Sequence, residues 1–315
     1  MDQKEGSSEK GADAMRNGSG GIKIRETAQN YLFVLPALLL FAVFYIYPVF
    51  KVLQLSLYQY DGITKLNYVR DFVGLSNFKE ALSSGVWWTS MWNATYITIL
   101  ALILQNALAL MLALIVDREI KGQRFYRVVF YLPPVLSGIV IGLIWNWIYD
   151  GNYGLLNHWL TNIGLGNLAR AWLADPKTAL TCVGIIHMWR GFGWGFIILL
   201  AGLQNIPREL YEAARIDGAG SWDIFSKVTV PLMIPVFVLV AVLTVLGTMQ
   251  IYDLIVSTTG GGPGYHTEVP ITRILAAMIS SSRFGYACAL GLVFGMVLLI
   301  ASMAQLSLSR KFKQT

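Results

Sequence analysis

The chain is dominated by long stretches that carry no charged residue. They occupy 27–50, 81–116, 128–149, 178–189 with 191–207, 228–252 and 284–309. About 20 apolar residues carry a helix across the hydrocarbon core of a bilayer, where every backbone amide must find its partner within the segment. The runs are apolar all round rather than alternating, which argues against a β-barrel. They predict an all-α integral membrane protein with six spanning helices, near 30–50, 93–116, 126–149, 180–203, 229–252 and 285–307. The fourth of these must accommodate Arg190.

Composition agrees. Of 315 residues, 55% are hydrophobic and 13% charged, about half the charged share of a soluble domain. So few charges cannot give a core of this size a wettable surface, which excludes a cytosolic globule, a disordered chain and a disulfide scaffold. The two cysteines, Cys182 and Cys288, fall inside expected spans at no metal-ligand spacing and read as packing residues.

The charges that remain set an orientation. Of the 24 Lys and Arg, fifteen lie in the N-terminal tail, the loops between spans 2 and 3 and between spans 4 and 5, and the C-terminal tail; eight lie on the opposite side. The positive-inside rule places the fifteen, and both termini, in the cytoplasm. The net charge of +6 is then a matter of topology and gives no basic domain for nucleic acid. Trp87, Trp88, Trp92, Trp145, Trp147, Trp159 and Trp172 are expected at the outer interface, where amphipathic rings prefer to lie. Residues 1–28 are expected as a disordered cytoplasmic tail, 29–309 as the membrane domain and 310–315 as a second cytoplasmic tail.

The most patterned cytoplasmic segment is 205–231. Residues 207–216 predict a short helix with Pro207 in its first turn and Glu209 at the positive end of its dipole. Asp217-Gly218 is a stop signal, Ser221 a candidate cap for a second short helix over 222–228, and Pro231 the opening of span 5. Ala213 and Ala214 make one surface small enough for another backbone to approach.

The order of these residues resembles the EAA loop of binding-protein-dependent ABC importer permeases. Glu212-Ala213-Ala214 is followed at the family's spacings by Gly218, Val228, Val230 and Pro231, and the run to Asp217-Gly218-Ala219 is similar to the carbohydrate-uptake branch. Val73-Gly74-Leu75-Ser76-Asn77-Phe78, Gly154-Leu155-Leu156-Asn157, Thr259 through Gly262-Pro263, and Gly285-Tyr286-Ala287-Cys288-Ala289 resemble further elements of that family, so the likeness covers nearly all of 30–310. The Gly-Gly-Pro turn resembles the subunit type that pairs with a second, non-identical permease.

The resemblance implies a maltose-type six-helix permease core. It implies a bacterial or archaeal cytoplasmic (inner) membrane and sugar import. The partners it implies are a second permease, two ATPase subunits and an extracytoplasmic solute-binding protein. ATP and Mg would belong to the ATPase, since this chain has no Gly-x-x-x-x-Gly-Lys-Ser/Thr run and is not itself an enzyme. Glu212, Ala213, Ala214, Asp217, Gly218 and Ala219 would form the contact through which ATP hydrolysis drives transport.

A substrate path is expected between spans 4 and 5. Arg190 and Trp194 share a helix face at i, i+4, with Gly191 between them, and Thr244, Thr248 and Tyr252 form a second such stripe. An intramembrane charge is expensive, so Arg190 should meet either an acidic substrate or a structural partner such as Asp253 or a carbonyl. The threonines serve helix packing as readily as substrate. A secondary solute transporter is the alternative, but no Asp or Glu lies well inside a span and no internal repeat is visible. His158, His187 and His266 form no metal-binding spacing.

Overall fold

The computed structural model describes residues 34–64, 71–118 and 120–312, with side chains to residue 307. The expected tail at 1–28 and residues 313–315 lie outside the described residues; the backbone of 310–312 continues the last helix. Among the described residues the secondary structure is helical, apart from one isolated antiparallel bridge between Tyr58 and Phe72.

The chain divides into two compact units between Leu55 and Ser56. The first holds all but the last residue of helix α1, which runs Val34–Ser56 and is apolar enough to cross a membrane. Leu40, Val43, Phe44 and Phe50 are all exposed on it, as suits a helix bathed in hydrocarbon rather than water.

The second unit contains α2 (Ser76–Ser83), α3 (Gly85–Asp117), α4 (Gln123–Val135), α5 (Gly138–Ile148), α6 (Leu155–Asn162), α7 (Ala179–Gln204), α8 (Arg208–Ile216), α9 (Ser221–Met249), α10 (Asp253–Thr258), α11 (Pro270–Ser280) and α12 (Phe284–Phe312). Of these, α3, α7, α9 and α12 are each long and apolar enough to span. Helix α7 is the hub, packing on α3, α4 and α9. One buried cluster includes Trp87, Ile97, Val183, Ile186, Leu254 and Leu290; a second joins Ala109, Ala113, Phe196, Leu199 and Met233.

Three expectations are corrected. The third span is not one helix over 126–149: α4 and α5 meet at an angle of 94°. Pro133 and Pro134 remove two amide donors, so the Val129 and Phe130 carbonyls lose their helical partners, and Leu136 and Ser137 turn extended. The second span begins at Gly85 and carries Trp87 and Trp88 within it, and Trp87 is wholly buried in the core rather than at an interface. Trp88, Trp92, Trp147 and Trp159 are exposed. The short helix at 222–228 and the fifth span form one helix, α9, with a π-helical stretch at Ile224–Thr229; Gly220, not Ser221, precedes its first turn. Residues 253–284 hold α10 and α11.

Three asparagines pin the extramembrane segments. Asn77 donates to the carbonyls of Ser56 (2.9 Å) and Tyr58 (3.0 Å). Asn93 donates to the Glu268 carbonyl (2.9 Å). Asn157 donates to the carbonyls of Gly151 and Arg170, and its Oδ1 accepts from Trp172 Nε1 at 2.7 Å. A buried amide that closes loop carbonyls replaces the water those carbonyls would otherwise need.

Candidate functional site

Two places carry chemistry: helix α8, and a cavity beside the middle of α7. The first is α8. Pro207 precedes this helix, with φ −57° and ψ 132°, rather than filling its first turn. Glu209 lies in the first turn and Arg215 in the last, each matched to the helix dipole. The helix stands out: Glu212, Ala213, Ile216, Asp217 and Gly218 are exposed, Ala214 and Ala219 half-buried. It closes with the Ala219 amide donating to the Ala214 carbonyl (2.9 Å) and the Gly218 amide to the Arg215 carbonyl (3.1 Å). Gly218 takes φ +79°, and a Cβ there would meet nothing within 4 Å, so only the backbone conformation asks for glycine. The Tyr211 hydroxyl lies 3.3 Å from that of Thr229 and ties α8 to the base of α9.

Two residues beside this surface were not singled out by the sequence reading. Ile216 is 85% exposed and Trp222 is 74% exposed, large apolar side chains left uncovered close in sequence to the Glu-Ala-Ala run. Apolar residues in a charged loop outside the spans were the available signal.

The second place is a cavity of about 510 Å³ among α3, α7 and α9. Arg190, Gly191 and Trp194 line it from α7, and Thr244 and Thr248 from α9. Tyr252 does not: α9 ends at Met249, so the expected i, i+4 stripe breaks before it reaches Tyr252. Arg190 Nη1 donates to Asp253 Oδ2 at 2.7 Å, and both side chains are about one-third exposed. The Thr248 hydroxyl is 2.8 Å from that of Thr98, and Thr244 donates to Asn106 Oδ1 at 3.2 Å, so both threonines also join α9 to α3. The Trp194 indole meets the Tyr131 ring edge-on at 5.3 Å between centroids.

Gln105 and His187 complete the wall and were missed as candidates. Gln105 Oε1 and His187 Nδ1 are buried without a hydrogen-bond partner among the described residues. Gln105 ends a π-helical stretch, Ala101–Gln105, of the kind that re-aims one residue inside a span. Its amide lies against Gly191, where a Cβ would come within 2.5 Å of Gln105 Oε1. A polar residue within an apolar run was the signal in each case.

Comparison with known proteins places this architecture. The chain is 34% identical over 286 residues to a probable ABC transporter permease protein, YurN, of Bacillus subtilis (strain 168), covering 90% of this chain and 97% of that one. It is 35% identical over 243 residues to the trehalose/maltose transport system permease protein MalF of Thermococcus litoralis, covering 77% and 81%. Among solved structures, a bacterial ABC transporter involved in the import of the acidic polysaccharide alginate shares the fold. Its TM-score is 0.78 at 21% identity, covering 92% of this chain and 97% of the other. The model of binding-protein-dependent transport system inner membrane components matches residues 105–314. This chain therefore belongs to that family of multi-pass inner-membrane permeases.

Proposed function

We propose that the chain is one permease subunit of an ATP-driven, binding-protein-dependent importer of neutral sugars. The cavity carries this reading. It sets two polar side chains, Gln105 and His187, beside the exposed Trp194 ring. Sugar hydroxyls hydrogen-bond to such side chains, while the apolar face of a pyranose packs on an indole. Asp253 neutralises Arg190, so the wall offers no uncompensated cation from that residue to select an acidic substrate. The trehalose/maltose name of one relative supports the same substrate class.

Half of the pore would come from this chain and half from a second, non-identical permease. Two ATPase subunits dock on the cytoplasmic side, the side given by the positive-inside count, and an external binding protein delivers the sugar. Glu212, Ala213, Ala214, Asp217, Gly218 and Ala219 meet the ATPase, with Ile216 and Trp222 adding apolar contact. ATP and Mg bind the ATPase, not this chain. A secondary transporter would need acids in the membrane to couple ions; Asp253 is already paired with Arg190.

The test is reconstitution in lipid nanodiscs with the partner permease and ATPases, adding binding protein loaded with candidate sugars. ATPase stimulation by a neutral oligosaccharide is expected. Stimulation only by an acidic sugar would overturn the substrate class, and none by any loaded binding protein would overturn the importer.

A further inference from the structure

Trp194 carries the largest side chain on the wall of the cavity of about 510 Å³. Its indole is 56% exposed and belongs to neither buried cluster, so core packing does not fix its rotamer. A ring that can swing must give up that freedom when a ligand stacks on it, and a contact that holds it beforehand strengthens binding. Among the described residues the one aromatic contact of Trp194 is with Tyr131 of α4, with ring centroids 5.3 Å apart and planes at 82°. Tyr131 does not itself line the cavity, so it can act on a bound sugar only through the indole.

The neighbouring residues determine where Tyr131 stands. Gly193, next to Trp194 on α7, admits the backbone of α4: a Cβ there would fall 2.5 Å from the Phe130 carbonyl oxygen and 2.7 Å from Pro134 Cγ. The Phe130 ring meets the wholly buried Phe196 edge-on at 5.4 Å. The glycine approach and the Phe130–Phe196 pair seat the end of α4 on α7, with Phe130 against Gly193 and Tyr131 against Trp194. Helix α4 ends at Val135, one turn beyond.

We propose that Tyr131 is a positioning residue for the transported sugar: its ring holds the Trp194 indole in the orientation on which a pyranose face packs. This role rests on the reading of the cavity as the sugar path. The contact is ring to ring, so phenylalanine serves as well as tyrosine.

The test labels the full chain with fluorotryptophan and assembles it with the partner permease and ATPases. The Trp194 resonance in the fluorine NMR spectrum is identified by its loss in Trp194→Leu. Tyr131→Leu should shift or broaden that resonance, and Tyr131→Phe should leave it in place. In proteoliposomes supplied with loaded binding protein, the probe is radiolabelled maltose or whichever neutral sugar stimulates the ATPase. Tyr131→Leu should lower its uptake about three- to tenfold, the range for one edge-to-face aromatic pair, and Tyr131→Phe should keep most of it. Adding Tyr131→Leu to Trp194→Leu should lower uptake no further, whereas a general loss of packing would add to the first loss. An unmoved resonance in Tyr131→Leu, or additive losses in the double variant, would overturn the positioning role. Normal uptake by Trp194→Leu, with the resonance still moved in Tyr131→Leu, would instead overturn the sugar path, and the role would fall with it.

Discussion

Arg190 and Asp253 form their 2.7 Å ion pair directly over Gly138, the first residue of α5. A Cβ at that glycine would fall 1.8 Å from Asp253 Oδ2 and 2.7 Å from Arg190 Nη1. Four residues on, Gly142 faces Ser257, and Asn146 Nδ2 donates to the Ser257 carbonyl at 2.7 Å. Two glycines spaced i, i+4 on α5 thus seat Asp253 and Ser257, spaced i, i+4 on α10. This close approach of backbones is a common way for helices to associate in membranes.

Breaking the pair should cost more than removing it. Arg190→Gln or Asp253→Asn leaves one uncompensated charge, whereas the double variant leaves none. The groups are one-third exposed, so the single variants should lose about 1–2 kcal/mol rather than the larger figure for a fully buried pair. Thermal unfolding in detergent checks this, with the double variant expected to recover most of the loss. Gly138→Ala should behave like a single variant, because the added methyl displaces the Asp253 carboxylate.

Gly218→Val should insert and fold normally yet uncouple ATP hydrolysis from uptake. The left-handed conformation costs a non-glycine residue about 1–2 kcal/mol, more for a β-branched one, and the turn would reshape rather than clash. Gly218→Asn should retain most coupling. Binding-protein-stimulated ATPase activity in nanodiscs is the readout, and normal stimulation in the Val variant would remove Gly218 from the coupling assignment.

Gln105→Leu and His187→Leu should each reduce sugar uptake by about tenfold, the cost of roughly one hydrogen bond that no longer reaches the substrate. Thr248→Val should instead lower stability with a smaller effect on uptake, because its hydroxyl already engages Thr98. Radiolabelled uptake beside thermal unfolding separates the two effects.

Helix α2 and the start of α12 share a pH-sensitive clasp. Arg283 Nη1 donates to Glu80 Oε1 at 2.7 Å and Nη2 reaches Oε2, and these bonds hold the Glu80 carboxyl below its ordinary value of 4.5. A lowered folded-state pKa means the stabilisation is present above the unfolded value and fades as pH falls through the folded one. Glu80→Gln should therefore be less stable than wild type at neutral pH, and the difference should shrink below about pH 4. Both groups are half-exposed, so the effect is small and weaker in salt. Unfolding at neutral and acid pH compares the two.

Spans were legible because hydrocarbon leaves the backbone few options, and hydropathy alone locates apolar runs. The 94° break was not read, although Pro133-Pro134 stood in the sequence, because a proline in a span kinks or breaks it according to what its neighbours offer the freed carbonyl. Trp87 illustrates the same limit: position near a span end suggested an interface, but the adjoining α2 and the core cover it completely. At the cavity, Arg190 and Trp194 were readable from helical spacing within one span. Gln105 was not, because its place on the wall depends on a π-helical stretch and on a different helix, and Tyr252 was lost when α9 ended three residues early. Asn77 and Asn157 were visible only as parts of a family pattern; the structure supplies the carbonyls that explain why an amide stands there.

Helix α9 runs 29 residues without interruption from Ser221, beside the Gly218 turn, to Met249, just past Thr244 and Thr248. At 1.5 Å per residue that is a rod of about 43 Å. No loop lies between its two ends to absorb a displacement. A push on the foot must therefore be felt at the cavity wall, except where Pro235 and the π-helical stretch at Ile224–Thr229 let the rod flex. If ATPase subunits push on that foot as proposed, stiffness at those two points, rather than any chemical group, sets how much of their stroke arrives at the cavity.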